Sequence, residues 1–213
     1  MSPFDRHIYV AHSKIYFAGG ANPNSQFYPY IGQVSRIRYP GYTVCEAVVT
    51  NLPVSNHDHA PNGIQFSDDG TLLLGIGGNT NAGVPHFRLG FLDESPLTAA
   101  IVAFRIYAPG FNGKLNYYSS DPTQQLNNDQ RFGGSVSLGP MYANYVSVWA
   151  AGARNPFDLV YTTTKRIFFT DNGPNQGYGL LSNGPSSTLS DSTETDKLCD
   201  ATTPNRIIHS SSF

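Results

Sequence analysis

Four short segments of this sequence carry side chains able to do chemistry. The first is Asn56-His57-Asp58-His59. A histidine beside a carboxylate can act as a general base, because imidazole accepts a proton near neutral pH and the acid stabilises the imidazolium. Two histidines at i and i+2 also fall on one side of an extended segment, an arrangement open to a metal pair, and a solvated loop has the same composition. The second is Gly152-Ala153-Arg154-Asn155-Pro156-Phe157. Its guanidinium is permanently charged and can hold a carboxylate or a developing oxyanion, or serve in a structural salt bridge. The third, Thr170-Asp171-Asn172-Gly173-Pro174-Asn175, offers a carboxylate, an amide and turn carbonyls, the oxygen donors that calcium takes. An ordinary Asn-Gly turn explains the same residues. The fourth, Gly75-Ile76-Gly77-Gly78-Asn79-Thr80-Asn81-Ala82-Gly83, is rich in glycine after an apolar run. Its spacing does not fit Gly-x-Gly-x-x-Gly from Gly75 or Gly77 and no helical pattern follows, so it reads as a backbone-lined loop and not as a phosphate cradle.

The elements that must position these segments are strands. No window of ten or more residues has apolar positions at three-four spacing free of Gly or Pro. Short β-rich runs recur instead, at residues 7–10, 14–17, 33–37, 47–49, 63–66, 71–76, 100–104, 146–149, 158–161 and 166–169. Ser67-Asp68-Asp69-Gly70 joins two of them and predicts a hairpin, since glycine supplies the positive φ of the turn. The hairpin over residues 62–75 is echoed over 155–170, each with a polar entry, a strand, a four-residue turn, a second apolar strand and a Gly/Asn/Asp-rich exit. Repeated hairpins of this kind suit propeller blades of about four strands, and a sandwich or barrel of similar hairpins remains open on pattern alone. Residues 108–140 and 175–195 read as long excursions between strands.

Composition narrows the class. Of 213 residues, 13 are basic and 15 acidic, 21 are Gly and 15 Pro, and 39% are hydrophobic, with 13 Tyr, 13 Phe and one Trp. So many aromatics at a net charge of −2 exclude a disordered, solvating chain. That charge also argues against a nucleic-acid partner or an anionic membrane surface. No apolar run approaches a membrane span. Two cysteines, Cys45 and Cys199, are too few for a disulfide framework, and a single bridge or two free thiols both fit.

The order of the motifs resembles one family. Asp58-His59 ahead of Gly63-Ile64-Gln65-Phe66-Ser67-Asp68-Asp69-Gly70, then Gly75-Ile76-Gly77, Gly152-Ala153-Arg154-Asn155-Pro156 and Asp171-Asn172-Gly173-Pro174-Asn175, is similar to the soluble quinoprotein glucose dehydrogenases and the related glucose/sorbosone and pyranose dehydrogenase domains. The resemblance implies an all-β chain forming a partial β-propeller, about three blades of a six-bladed ring. It further implies an oxidoreductase of sugars or polyols that passes a hydride from the substrate carbinol carbon to pyrroloquinoline quinone held with calcium. By resemblance, His59 is the general base and Asp58 supports it, while Arg154 stabilises the negative oxygen of the reduced quinone. Asn155, Asn172 and Gly173 seat the cofactor, and the carbonyls of Gly173 and Pro174 ligate the calcium.

The resemblance runs from about residue 45 to 198, with residues 1–44 as a preceding blade. The sequence therefore divides into a partial propeller, 1–198, and a divergent tail, 199–213. It departs from the family at Gly78 and Gly83, where the bacterial glucose dehydrogenases place polar cofactor-site side chains, and at the insertion Glu94-Ser95-Pro96-Leu97-Thr98-Ala99-Ala100, which points to another branch and another substrate. After Leu198 the further blades and their basic cofactor-gripping residues do not follow, so a fragment is expected, needing the missing half of the propeller or a protein partner to cover its edges. The expected partners are a sugar substrate and an electron acceptor, in an extracellular or periplasmic setting. The alternatives are a non-catalytic propeller that binds a protein or glycan, as hedgehog-interacting proteins do on a similar scaffold, or an inactive propeller fragment.

Overall fold

The computed structural model describes residues 1–13, 31–55, 59–80, 94–119, 136–138, 144–173, 197–200 and 208–209. All regular structure among them is β. The strands are β1 (Ile8–Ser13), β2 (Ile31–Ile37), β3 (Cys45–Pro53), β4 (Pro61–Phe66), β5 (Leu72–Ile76), β6 (Ala100–Phe104), β7 (Tyr117–Ser119), β8 (Val136–Leu138), β9 (Val146–Ala151), β10 (Pro156–Tyr161), β11 (Ile167–Asp171), β12 (Lys197–Asp200) and β13 (Ile208–His209). They form antiparallel sheets in the orders β1-β2-β3, β4-β5-β6-β9 and β10-β11-β12-β13, with a two-stranded ribbon β7-β8. None is closed into a barrel. Among the described residues no helix is long and apolar enough to cross a membrane.

The middle sheet, β4-β5-β6-β9, explains why its sequence is so continuously apolar. Every residue of β5 and β6 is buried, as expected of strands covered on both faces. Alternation divides them between two cores. Leu72, Leu74, Ile76, Val102 and Phe104 pack with Val34, Val49 and Leu52 of the first sheet. Leu73, Ile101, Ala103 and Ala150 pack with Leu159, Ile167 and Phe169 of the last. Contact on the second side is close enough to need glycine: a Cβ on Gly63 would lie 2.7 Å from Asp158 Oδ1 and 2.9 Å from the Leu159 nitrogen, and one on Gly75 would lie 2.7 Å from the Pro156 oxygen.

Both predicted hairpins are present, and their turns are built alike. Ser67 N–H donates to the Thr71 carbonyl and Gly70 N–H to that of Ser67; Thr162 N–H donates to Arg166 and Lys165 N–H to Thr162. Gly70 (φ 82°) and Lys165 (φ 63°) hold the same left-handed position, so the sequence echo is a structural repeat. Lys165 Nζ lies 3.4 Å from Asp68 Oδ2, placing the two turns side by side.

The region expected as a long excursion from residue 108 is partly structured. Thr50 N–H donates to the Gly113 carbonyl and Leu115 N–H to that of Thr50, while the Leu115 side chain is fully buried. This stretch supplies partners to the edge of β3, and β7 and β8 follow it. Strand β12 pairs with β11 and β13. Residues 14–17, expected as a strand, lie outside the described residues. Cys45 is a free, exposed thiol.

The segment before β1 is held by a carboxylate. Asp5 accepts from Tyr9 (2.7 Å) and Tyr107 (2.6 Å) on one oxygen and from the His7 N–H (3.0 Å) on the other. Partial burial alone would raise its pKa, but the hydrogen bonds from Tyr107, His7, Tyr9 and Ser2 outweigh that and lower it to about 2. Burial, together with the bonds to Tyr107 and Asp5, pushes the Tyr9 hydroxyl well above the ordinary tyrosine value.

Candidate functional site

Antiparallel pairing brings the chemically equipped segments to one end of two sheets. In the middle sheet Pro61 pairs with Ile76, Ile76 with Ala100, and Ala100 with Ala151; in the last sheet Pro156 pairs with Asp171. The residues just outside these pairs are therefore neighbours: His59 before β4, Gly77–Thr80 after β5, Glu94–Ala99 before β6, Gly152–Asn155 between β9 and β10, and Asn172–Gly173 after β11.

His59 is 2% exposed. Its main chain closes a small turn, with the N–H on Ser55 Oγ (2.9 Å) and the carbonyl accepting the Ser55 N–H (2.8 Å). The ring Nδ1 lies 2.7 Å from the Gly78 carbonyl oxygen. A carbonyl only accepts, so Nδ1 carries the proton and, in the neutral ring, Nε2 is the nitrogen left to accept one. Gly77 lies between His59 and the second sheet. A Cβ there would fall 2.5 Å from Asn155 Oδ1 and 2.7 Å from His59 Cβ, so only glycine lets these side chains close over the backbone.

Asn155 is buried and anchored from several directions. Asn62 Nδ2 donates to its Oδ1 (2.9 Å) and to the Pro156 carbonyl (3.0 Å). Its own N–H donates to Asp171 Oδ1 at 2.7 Å, and its carbonyl accepts the Asn172 N–H at 3.2 Å. Arg154 N–H is shared by both Asp171 oxygens (3.1 and 3.0 Å), and the Arg154 carbonyl accepts the Gly78 N–H (2.8 Å). The guanidinium reaches the other way, with Nη1 donating to the Asn172 carbonyl at 3.2 Å. One carboxylate, Asp171, thus ties the Arg154-Asn155 corner to the end of β11, and positive charge stands over the Asn172 main chain.

Of the residues singled out by sequence, His59, Arg154, Asn155, Asn172 and Gly173 stand at this end of the sheets. Asp58, His57 and Pro174 lie outside the described residues. Among the described residues no group of three or more His, Cys, Asp and Glu is arranged to hold a metal. Three roles escaped sequence reading: that of Asn62, whose amide fixes Asn155; of Gly77, whose missing Cβ permits the closure; and of Glu94, the first residue of the insertion. Asn62 opens a recognised hairpin and Gly77 lies in the glycine-rich segment after it, but neither the amide's long-range partner nor the close approach has a local signal. A cavity of about 200 Å³, lined by Ser2, Tyr9, Gln65 and Phe66 among others, lies at the far end of β4 beside β1 and takes no part in this site.

No family model matches the chain, and no curated protein does. Two solved structures, each of a glucose dehydrogenase, are similar to it. One has 15% identity and a TM-score of 0.42 over 88% of this chain, the other 14% and 0.43 over 87%. The match covers 46% of each of those proteins, so the chain spans about half their length.

Proposed function

We propose that the chain is part of a quinone-dependent oxidoreductase of sugars or polyols, with its sheets as blades of an open propeller, His59 as general base and Arg154 as fixed positive charge. One observation carries the reading: His59, Arg154-Asn155 and Asn172-Gly173, far apart in sequence, meet at one end of two face-packed sheets whose strands follow in chain order. Meanders stacked in this way suit the blades of a propeller. A base on one sheet and a cation on its neighbour suit the oxidation of a carbinol, which releases a proton on one side and builds negative charge on the other.

The donor set fits pyrroloquinoline quinone with calcium. A guanidinium matches the cofactor's carboxylate and quinone oxygens. The carbonyls of Gly173 and Pro174, with the Asn172 amide, are the hard oxygen donors that calcium prefers. When bound, the quinone would supply the acceptor for the hydride of the substrate carbon. The chain's own residues do the rest. His59, its Nδ1 held by the Gly78 carbonyl and Asp58 beside it in sequence, takes the substrate hydroxyl proton at Nε2. Arg154 balances the charge that remains, and Asn155, fixed by Asn62 and Asp171, borders the site. The reading carries with it a sugar substrate, an external electron acceptor, an extracellular or periplasmic setting, and a further set of blades or a protein partner against the open sheets.

Calorimetric titration with pyrroloquinoline quinone, with and without calcium, tests it. Calcium-dependent binding is expected, weakened about ten- to a hundredfold in Arg154→Ala, the equivalent of one hydrogen bond to a charged group. His59→Ala should keep the affinity and lose dye-linked sugar oxidation. A folded chain that binds no quinone in calcium overturns the reading in favour of a non-catalytic propeller for a protein or glycan, or an inactive fragment.

A further inference from the structure

We infer that Glu94 is a positioning residue of this site: its carboxylate locks the backbone after β5 so that the Gly78 carbonyl holds the His59 ring in the tautomer protonated at Nδ1. The role rests on the reading of His59 as the base.

The Glu94 carboxylate is saturated by residues on both sides of the loop. Oε1 accepts the Thr80 N–H (3.0 Å) and the Thr80 hydroxyl (2.6 Å); Oε2 accepts the Asn79 N–H (2.9 Å) and the Thr98 hydroxyl (2.5 Å). Four donors match the roughly four lone-pair sites of an ionised carboxylate, and bonds to a charged acceptor are the stronger kind. Two of those donors are the main-chain N–H groups directly after Gly78. The Gly78 N–H is itself held by the Arg154 carbonyl. The peptide whose oxygen receives His59 Nδ1 is therefore clamped at both ends, by the second sheet before it and by Glu94 after it.

Space at Gly78 agrees. A Cβ there would lie 3.0 Å from Glu94 Oε1, 3.2 Å from the Arg154 oxygen and 3.3 Å from Ala99 Cβ. The place a side chain at position 78 would fill is taken by a carboxylate delivered from the next loop. Ala99 adopts a left-handed conformation at φ 54°, unfavourable for a residue with a Cβ. Such a conformation persists where surrounding bonds over-determine it. Here the Ala99 carbonyl accepts the Gly152 N–H, and Thr98, two bonds into the same network, also accepts the Ser95 N–H. The insertion thus works as a bracket that carries Glu94 to the His59 site.

The test is the tautomer of His59 in the whole 15N-labelled chain, at a pH of about 8 where an ordinary histidine is neutral. Its ring resonances are identified by their loss in His59→Gln. The wild type should show a protonated Nδ1 and an unprotonated Nε2. In Glu94→Ala the preference should fall from about tenfold or more to near unity, the loss of about one hydrogen bond's worth of bias. Glu94→Gln, which turns an amide donor towards other donors, should show an intermediate ratio, and Thr98→Val, which removes a single donor, serves if Glu94→Ala does not fold. A folded variant with the wild-type ratio overturns the inference. A changed ratio in a chain that binds no pyrroloquinoline quinone leaves the clamp standing and removes the oxidoreductase reading; quinone binding with an unchanged ratio does the reverse.

Discussion

Replacing Asp171 with alanine strikes the point where the two halves of the site are joined. Its carboxylate, on a residue 7% exposed, accepts the Asn155 N–H at 2.7 Å and shares the Arg154 N–H at 3.1 and 3.0 Å. A hydrogen bond to a charged acceptor contributes about 1.5–3 kcal/mol, and a buried donor left bare costs about 1–3 kcal/mol. Asn155 is buried, so its N–H bears the full loss; Arg154 is half-buried and its N–H can turn to water. Relief of the carboxylate's own desolvation works in the opposite direction. The net expectation is a loss of about 2–4 kcal/mol for Asp171→Ala, with Asp171→Asn, which retains one acceptor of the same shape, losing about half as much. Equilibrium urea unfolding followed through Trp149, the single tryptophan, on β9, reads this directly. The midpoint should fall with little change of slope. A loss below about 1 kcal/mol for the alanine variant would refute the view that Asp171 ties the Arg154-Asn155 corner to β11.

Two other outcomes follow from the packing and the charges. Gly63→Ala places a Cβ within 2.7 Å of Asp158 Oδ1 and 2.8 Å of its Cα, so the last sheet must move off the middle one. A loss of about 1–3 kcal/mol in the same unfolding assay is expected, and an unaltered midpoint would show that the sheets are not in that contact. Asp5 has its pKa lowered from 3.8 to about 2 in the folded chain. A carboxyl with a depressed folded value stabilises the fold above its unfolded value and loses that contribution as pH falls through the folded one, so the effect disappears between about pH 4 and pH 2. Acid titration of Asp5→Asn should lack that step; identical acid slopes for variant and wild type would discount the Tyr9-Tyr107-Asp5 network.

The central strands and both hairpins were legible because their signals are local. A five-residue apolar run such as Leu72–Ile76 announces a strand covered on both faces, and Asp69-Gly70 announces its turn. The candidate segments around His59, Arg154 and Asn172 were legible for the same reason, as residue types standing in strand-to-loop boundaries. Short strands were not: β7, β8, β12 and β13 hold two to four residues each, too few for alternation to register. Nor could the stretch around Leu115 be recognised as cover for β3, since edge pairing depends on a partner distant in the chain.

Sequence by itself therefore determined the all-β character, the turns and the chemical groups on offer, because backbone preference and side-chain chemistry are properties of a residue and its near neighbours. Tertiary structure alone decided what those groups face. Pairing of Pro61 with Ile76 and of Pro156 with Asp171 sets His59, Gly77, Asn155 and Asn172 at one end of adjacent sheets. The absence of a side chain at Gly77 and Gly78 becomes there the space in which Asn155 closes on the histidine and Glu94 on the Gly78 backbone. Such contacts are fixed by register and by the distance between packed sheets, and neither is encoded in any short stretch of residues.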